Sequence, residues 1–298
     1  MEKQRRPEWL KVRLRTDPNF RRLRKLVDEL KLNTVCTEAR CPNIYECWNA
    51  GTATFMILGE TCTRRCGFCS VHSGRPDPGV DKDEPRRVGE AIARLGIRHA
   101  VITSVDRDDL PDGGAAHFRD VTNAIRSHAA GCAVELLTPD FKGRVDALDI
   151  VLQAPPDVFS HNIETVPRLY KTARPGSKFL GSVALLEASA RERDARGLTM
   201  RIKSSMMLGL GETDDEVLDV MATLREAGVE VMAMGQYLQP TRDHMPVTRF
   251  VSPDHFRRFA DAGKAMGFLH VEAGPLVRSS YHAEQHHPAL PVISSHSG

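Results

Sequence analysis

From about residue 52 the chain alternates short apolar, β-branched runs with segments of helical period. Six runs read as strands: Ala53–Leu58, His99–Ser104, Ala133–Leu137, Asp157–His161, Arg201–Leu208 and Val229–Leu238. Val88, Ala91, Ile92 and Leu95 fall at i, i+3, i+4 and i+7, and Val217, Val220, Met221 and Leu224 repeat that spacing, each set forming one apolar helix face. Thr213 and Glu216 carry a capping-box spacing at the start of the second helix. A further helix is expected from Ser252-Pro253, burying Phe256, Phe259 and Ala260. Such alternation means right-handed βαβ units and a parallel sheet. Six units predict an α/β fold, a partial (β/α)6 TIM-like barrel, because a closed eight-unit barrel takes about 250 residues by itself. A doubly wound flat sheet is the alternative. In either case function belongs at the carboxyl ends of the strands. The barrel would span 51–270, between an N-terminal extension (1–50) and a C-terminal one (271–298) ending in a mobile tail.

In the N-terminal extension Asp17-Pro18 is a helix start. Phe20, Leu23, Val27 and Leu30 form its apolar face, and Arg21, Arg22, Arg24, Lys25 and Lys31 its basic one. That basic face is either solvated or a dock for an acidic partner. The chain has 298 residues, enough to bury a core without disulfide staples. Its 41 Lys and Arg against 39 Asp and Glu leave a net charge of +2, and no basic–aromatic stripe is present. Neither feature favours nucleic-acid binding. No apolar run approaches the roughly 20 residues that span a bilayer, and no signal-peptide core follows the basic N-terminus. The expectation is a cytoplasmic protein with no membrane role.

Six of the seven cysteines lie between positions 36 and 69, in two groups of three. An odd count without a leader argues against a disulfide framework. Cys62, Cys66 and Cys69 have the spacing C-x3-C-x2-C directly after the first strand. Three thiolates on so short a loop can converge on one centre, and soft thiolates suit zinc or iron–sulfur clusters. A structural zinc needs a fourth ligand; three ligands leave one iron of a [4Fe-4S] cluster open to a substrate or cofactor. Gly67 permits the tight turn, and Phe68 can cover an apolar flank of the cofactor. Cys36, Cys41 and Cys47, spaced C-x4-C-x5-C, offer a second triad with no local fourth ligand. Two clusters are the leading expectation, a zinc knuckle or inert buried thiols the alternatives.

The C-x3-C-x2-C loop resembles the radical S-adenosylmethionine superfamily. Further residues narrow the likeness: Cys41-Pro-Asn-Ile-Tyr-Glu-Cys47-Trp48, Asp106–Gly114, His161-Asn-Ile-Glu-Thr165, Gly209–Thr213 and Arg278-Ser-Ser-Tyr281. Together they are similar to the lipoyl synthase family, over about residues 8 to 284. The resemblance implies that S-adenosylmethionine chelates the open iron and is cleaved to a 5′-deoxyadenosyl radical. It implies sulfur insertion at carbons 6 and 8 of a protein-bound octanoyl-lysine, with two S-adenosylmethionine molecules consumed per lipoyl group. Those C–H bonds are unactivated, so no acid or base at neutral pH can open them. It further implies that Cys36, Cys41 and Cys47 hold the auxiliary cluster that donates sulfur, with a serine of Arg278-Ser-Ser-Tyr281 as fourth ligand, Ser280 by preference and Ser279 the alternative. The implied partners are octanoylated lipoyl carrier domains of 2-oxoacid dehydrogenases or the glycine cleavage H protein, a flavodoxin or ferredoxin as reductant, and cluster-assembly proteins. Such carrier domains are often acidic, which would suit the basic helix.

Gly209 and Gly211 either let backbone approach the cofactor or form a turn. The polar stretch Asp106–Gly114 follows the second strand and is a cofactor contact or a turn. Asn162 is placed to bind the methionyl carboxylate, or to structure its loop. Cys132 reads as a small buried hydrophobe, and Met206, Met207, Met232 and Met234 as barrel lining. His282, His286, His287 and His296 read as solvent-exposed. Two other readings remain: a biotin-synthase-like or methylthio-transferring radical enzyme, separated by its product, and a metal-stapled binding module, separated by iron and sulfide content.

Overall fold

In the computed structural model, residues 6–11, 18–30, 32–38, 41, 43–49 and 53–286 are described. One eight-stranded sheet organises them. Its strands are β1 (Asn33–Thr34), β2 (Ala53–Ile57), β3 (His99–Ser104), β4 (Ala133–Leu137), β5 (Val158–Ser160), β6 (Arg201–Leu208), β7 (Val231–Gln236) and β8 (His270–Gly274). β1 runs antiparallel to β2, and every later neighbour pair is parallel. Each strand pairs with the next in chain order, and the order never reverses. A doubly wound sheet requires a reversal, so the winding is that of an open barrel. All six expected strands are present. β8 is a seventh parallel strand, extending the sheet into the region assigned to the C-terminal extension.

Burial explains why the strands were conspicuous. Every residue of β2 and of β7 is buried, as expected of parallel strands covered on both faces. Met206, Met232 and Met234 are buried within this sheet, and Cys132 is buried at the start of β4. The main helices are α1 (Pro18–Glu29), α2 (Ile44–Asn49), α3 (Glu84–Leu95), α4 (Ala115–His128), α5 (Val145–Val151), α6 (Phe179–Arg196), α7 (Asp214–Glu226) and α8 (Pro253–Ala265). The capping box at α7 forms as expected: Glu216 N–H donates to Thr213 Oγ1 at 3.2 Å, and Thr213 N–H donates to Glu216 Oε2 at 2.8 Å. Ser252 caps α8, whose Phe256 and Phe259 are buried. No described helix is long and apolar enough to cross a membrane.

The N-terminal extension is docked on the barrel. Phe20, Leu26 and Val27 are buried, and the Phe20 ring lies 4.9 Å from that of Tyr45 and 5.1 Å from that of Trp48 on α2. Arg87 of α3 donates to the Leu30 carbonyl at 3.1 Å, and Arg22 to the Arg94 carbonyl at 2.7 Å. Arg21, Arg22, Arg24 and Lys25 are exposed, as the basic face requires. Asp17, the Leu23 side chain and Lys31 lie outside the described residues.

At the other end the expectation for His286 fails. It is buried, not solvent-exposed, because the 3-10 turn Ala283–His286 carries it against Lys203 inside the barrel. His282 is partly buried, and His287 and His296 lie outside the described residues.

Phe20→Ala removes the ring that joins α1 to α2. It is expected to cost about 3 kcal/mol of docking free energy. Limited proteolysis should then cut within 18–49 sooner than in the parent, while the barrel remains resistant.

Candidate functional site

β2 leads directly into the loop of Cys62, Cys66 and Cys69. A two-residue parallel ladder, Thr61–Cys62 with His72–Ser73, closes its base, and Gly74 N–H donates to the Cys62 carbonyl at 2.9 Å. Gly67 is clamped on both sides: its N–H donates to Ala173 O and its carbonyl accepts from Met245 N–H, each at 2.9 Å. A side-chain carbon there would stand 2.9 Å from the Thr172 carbonyl, so glycine is required by close approach. Cys69 N–H turns back to the Cys66 carbonyl at 3.2 Å, and the Cys69 carbonyl is 2.9 Å from His244 Nε2. Phe68 is half-buried.

The three thiols are free, and Cys69 lies close enough to act on the ionisation of both Cys62 and Cys66. Burial, then the Asp106 carboxylate, pushes the Cys62 thiol up to about 11. Burial pushes Cys66 up to about 12 against the opposing charge of Arg174, and burial raises Cys69. Bare thiolates are disfavoured here, as in any pocket that waits for a cationic centre to displace the protons.

Arg64, inside the x3 spacing, is a feature the spacing did not reveal. Its guanidinium is buried and grips Asp108 with two bonds of 2.9 and 2.8 Å, Asp140 at 2.6 Å and Ser177 at 2.8 Å. Asp106 lies 3.4 Å away. Burial opposes the charge of Arg64, but these carboxylates hold it well above its ordinary range. Asp106 and Asp108, from the polar stretch after β3, therefore meet the cysteine loop through Arg64.

A second buried cation, Arg174, donates to the Asn162 carbonyl at 2.8 Å and to the Tyr170 hydroxyl at 3.0 Å. Its charge acts on Cys66 and on Glu164. Burial raises the Glu164 carboxyl, with Arg174 opposing. Asn162 Nδ2 donates to Glu164 Oε1 at 3.1 Å, while Asn162 Oδ1 is buried with no partner. The free atom is an acceptor, so Asn162 in this geometry suits a donor such as an ammonium rather than a carboxylate. Ser104 Oγ, Thr138 Oγ1 and Ser160 Oγ are also buried without a hydrogen-bond partner. They lie at or just beyond the carboxyl ends of β3, β4 and β5. Buried polar groups are normally satisfied, so this cluster of orphans fits a polar ligand.

Gly209 and Gly211 do have left-handed backbones, φ +102° and +116°. The space beside Gly209 is filled by Gln236 and the Arg249 carbonyl, and Glu212 accepts from Gly209 N–H at 2.6 Å and from Leu210 N–H at 2.9 Å. The close approach that demands glycine is that of the chain itself.

The second triad is completed from the far end of the sequence. Cys36, Cys41, Cys47, Asn43, Ile44, Thr54, Arg278, Ser280 and Tyr281 line one pocket. Ser280, not Ser279, is on its wall. Asn43 Nδ2 donates to the Leu276 carbonyl at 2.6 Å, and the Tyr281 hydroxyl donates to Glu46 at 3.1 Å. Burial, then Cys41, lifts Cys36 to about 11; burial raises Cys41, and burial with its two companion thiols raises Cys47. Three soft donors and one hydroxyl around a single pocket fit an iron–sulfur cluster. Thr54 on this wall and the cysteine loop beyond Ile57 sit at opposite ends of β2, which spans about 10 Å between Thr54 and Ile57. Among the described residues no three His, Cys, Asp or Glu side chains are placed to hold a single metal ion. A zinc site would need its ligands round one tetrahedron, whereas the thiolates of a cube each bind a different iron.

Comparison with known proteins agrees with this geometry. A profile of the radical SAM superfamily matches residues 56–234, and one of the N-terminal domain of lipoyl synthases matches residues 1–41. The chain is 54% identical to the lipoyl synthase of Rubrobacter xylanophilus over 94% of its own length and 86% of that protein's. It is 53% identical to the lipoyl synthase of Azotobacter vinelandii, over 94% and 85%. Among solved structures, Streptococcus suis SuiB bound to S-adenosylmethionine superposes with a TM-score of 0.55 at 12% identity, over 86% of this chain and 61% of that one. The maturase HydG superposes at 0.54 and 13%, over 84% and 53%. The chain spans little more than half of each of these neighbours, and the likeness is one of fold. Membership of the superfamily brings with it S-adenosylmethionine and one [4Fe-4S] cluster. By sequence, by winding and by its two thiol groups, the chain belongs to the lipoyl synthase family of radical S-adenosylmethionine enzymes.

Proposed function

We propose that the two triads divide the work of lipoyl formation, Cys62, Cys66 and Cys69 holding one [4Fe-4S] cluster and Cys36, Cys41, Cys47 and Ser280 the other. When bound, the first cluster with S-adenosylmethionine supplies a 5′-deoxyadenosyl radical, and the second supplies sulfur for carbons 6 and 8 of an octanoyl-lysine. The observation that carries the reading is the pocket in which Ser280 joins three cysteines more than 230 positions upstream. A serine oxygen is a harder ligand than a thiolate and holds soft-ligated iron less firmly. That suits a cluster whose sulfide is given up.

The remaining residues orient and shield. Arg64 and Gly67 hold the cysteine loop to the barrel. Arg174, buried beside Cys66, offers a guanidinium to the methionyl carboxylate, and the free Asn162 Oδ1 accepts from the methionyl amine. The buried orphan hydroxyls of Ser104 and Ser160 offer bonds to the rest of the cofactor. The substrate is an octanoylated carrier domain, the electron donor a flavodoxin or ferredoxin, and the setting cytoplasmic, with cluster-assembly proteins restoring what is consumed. The exposed Arg21, Arg22 and Arg24 would steer an acidic carrier.

Anaerobic protein rebuilt with isotopically labelled sulfide should transfer label to lipoyl-lysine peptide, read by mass spectrometry; unlabelled product refutes the sulfur-donor assignment. Cys66→Ala should lower 5′-deoxyadenosine formation more than ~100-fold, since even outer-shell changes cost about 10–100-fold. Cys41→Ala should abolish lipoyl product yet keep that cleavage, and joint loss of both would overturn the division of roles.

Arg64→Ala leaves buried carboxylates unpaired and should destabilise the protein by about 3 kcal/mol or more in denaturant unfolding. Arg64→Lys should not rescue it, because an ammonium cannot make the bidentate bond to Asp108. Reversing charge at Arg21 and Arg24 should slow turnover of intact carrier protein at low salt but leave turnover of a short octanoyl-lysine peptide unchanged.

A further inference from the structure

Lys203, the third residue of β6, is fully buried and pairs with the equally buried Glu135 of β4, Nζ to Oε1 at 2.8 Å. His99 Nε2 of β3 stands 3.4 Å from the other oxygen of that carboxylate. The fourth member comes from outside the barrel: His286 Nδ1 is 3.0 Å from Lys203 Nζ. None of these four side chains lines either thiol site, and no step of the proposed chemistry uses them.

An ammonium has three donors and no acceptor, so His286 Nδ1 must accept. Burial, then the charge of Lys203, holds the imidazole well below its usual range, which leaves that nitrogen free of a proton. Removing one partner from a buried charged network is strongly unfavourable, so the contact fixes the chain firmly at His286.

Upstream, the same segment is fixed by Asn43 on the Leu276 carbonyl and by the Tyr281 hydroxyl on Glu46. Val277 N–H closes a turn on the Gly274 carbonyl at 3.1 Å, and Tyr281 N–H closes the next on the Arg278 carbonyl at 2.9 Å. Ser280 sits in that second turn, between the Leu276 contact and His286, with the Tyr281 contact next to it. We infer that His286 is a positioning residue for the auxiliary site: by docking on Lys203 it fixes the downstream end of the Arg278–Tyr281 turn and so holds the Ser280 hydroxyl at Cys36, Cys41 and Cys47. The inference rests on Ser280 being the fourth ligand, as proposed above.

The test uses full-length, anaerobically reconstituted protein, with hydrogen exchange and chelator-driven iron loss as readouts. His286→Ala is expected to speed amide exchange across 277–286 at least ~10-fold while 201–208 stays within about twofold, a local opening rather than a global one. Iron should leave the auxiliary site at least ~5-fold faster, an outer-shell effect on cluster affinity. His286→Asn, whose Oδ1 replaces Nδ1 as acceptor, should restore both. Ser280→Ala should reproduce the iron loss without the faster exchange. His286→Gln, which shifts the acceptor towards the Nε2 position, should behave as His286→Ala and carries the test if the alanine variant does not fold. Exchange across 277–286 unchanged in these variants, an equal rise across 201–208, no rescue by His286→Asn, or iron loss that rises in Ser280→Ala alone would each overturn the inference. Faster exchange with iron loss unchanged in both His286→Ala and Ser280→Ala would instead sink the ligand reading, and the inference with it.

Discussion

A loop of eight residues that must turn three thiols toward one centre cannot hold its own shape; its backbone has to be fixed from outside. Besides the short ladder at its base, its fixtures come from segments that follow four other strands. Asp108 after β3 and Asp140 after β4 bind Arg64. Ala173 and Ser177 after β5 bind Gly67 and Arg64. His244 and Met245 after β7 bind the carbonyls of Cys69 and Gly67. These segments converge on one loop because consecutive parallel strands curve round it. In a flat sheet of the same strands, the loops after β3 and β7 would stand far apart. The winding of the sheet is thus the first requirement of the cysteine site.

The auxiliary triad obeys a different rule. Its walls come from the N-terminal extension, from one residue of β2 and from the segment after β8. It forms only when both ends of the chain are docked. Phe20 stacks on Tyr45 and Trp48 to secure one side, and the buried Lys203–His286 contact secures the other. A site on peripheral segments can open without unfolding the barrel, since local stability varies across a structure. Within the proposed function that is where a consumed cluster belongs, while the cluster that is kept is locked into the barrel mouth.

The strands were legible because parallel strands buried on both faces read as unbroken apolar runs. β8 was not, since His270-Val-Glu-Ala-Gly274 has no such run and borrows its register from β7. The thiol groups were legible because soft ligands on a short loop have few other uses. Arg64 was not, because its side-chain hydrogen-bond partners lie between 44 and 113 positions away and no local spacing encodes them. Arg174 was not, because its tie to the Asn162 carbonyl reaches back 12 positions across a turn. At Gly209 the space beside the backbone is taken by Gln236 and the Arg249 carbonyl, contacts that no local spacing encodes. His286 was misjudged because a histidine in a polar tail looks solvated. Its partner Lys203 sits in a strand whose alternation gives no sign of an inward-facing ammonium.

At the barrel mouth four carboxyl groups, Asp106, Asp108, Asp140 and Glu164, are set against two guanidinium groups, Arg64 and Arg174, and the Lys142 ammonium 3.7 Å from Asp108. Arg64 holds Asp108 and Asp140 low despite their burial. Asp106 and Glu164 are raised by burial, with Arg64 and Arg174 only partly opposing. Burial favours the uncharged forms of these two carboxyls. A cation entering this space favours their ionised forms and gains from the low dielectric around it. S-adenosylmethionine carries a sulfonium, a charge of the sign that lets both carboxyls ionise.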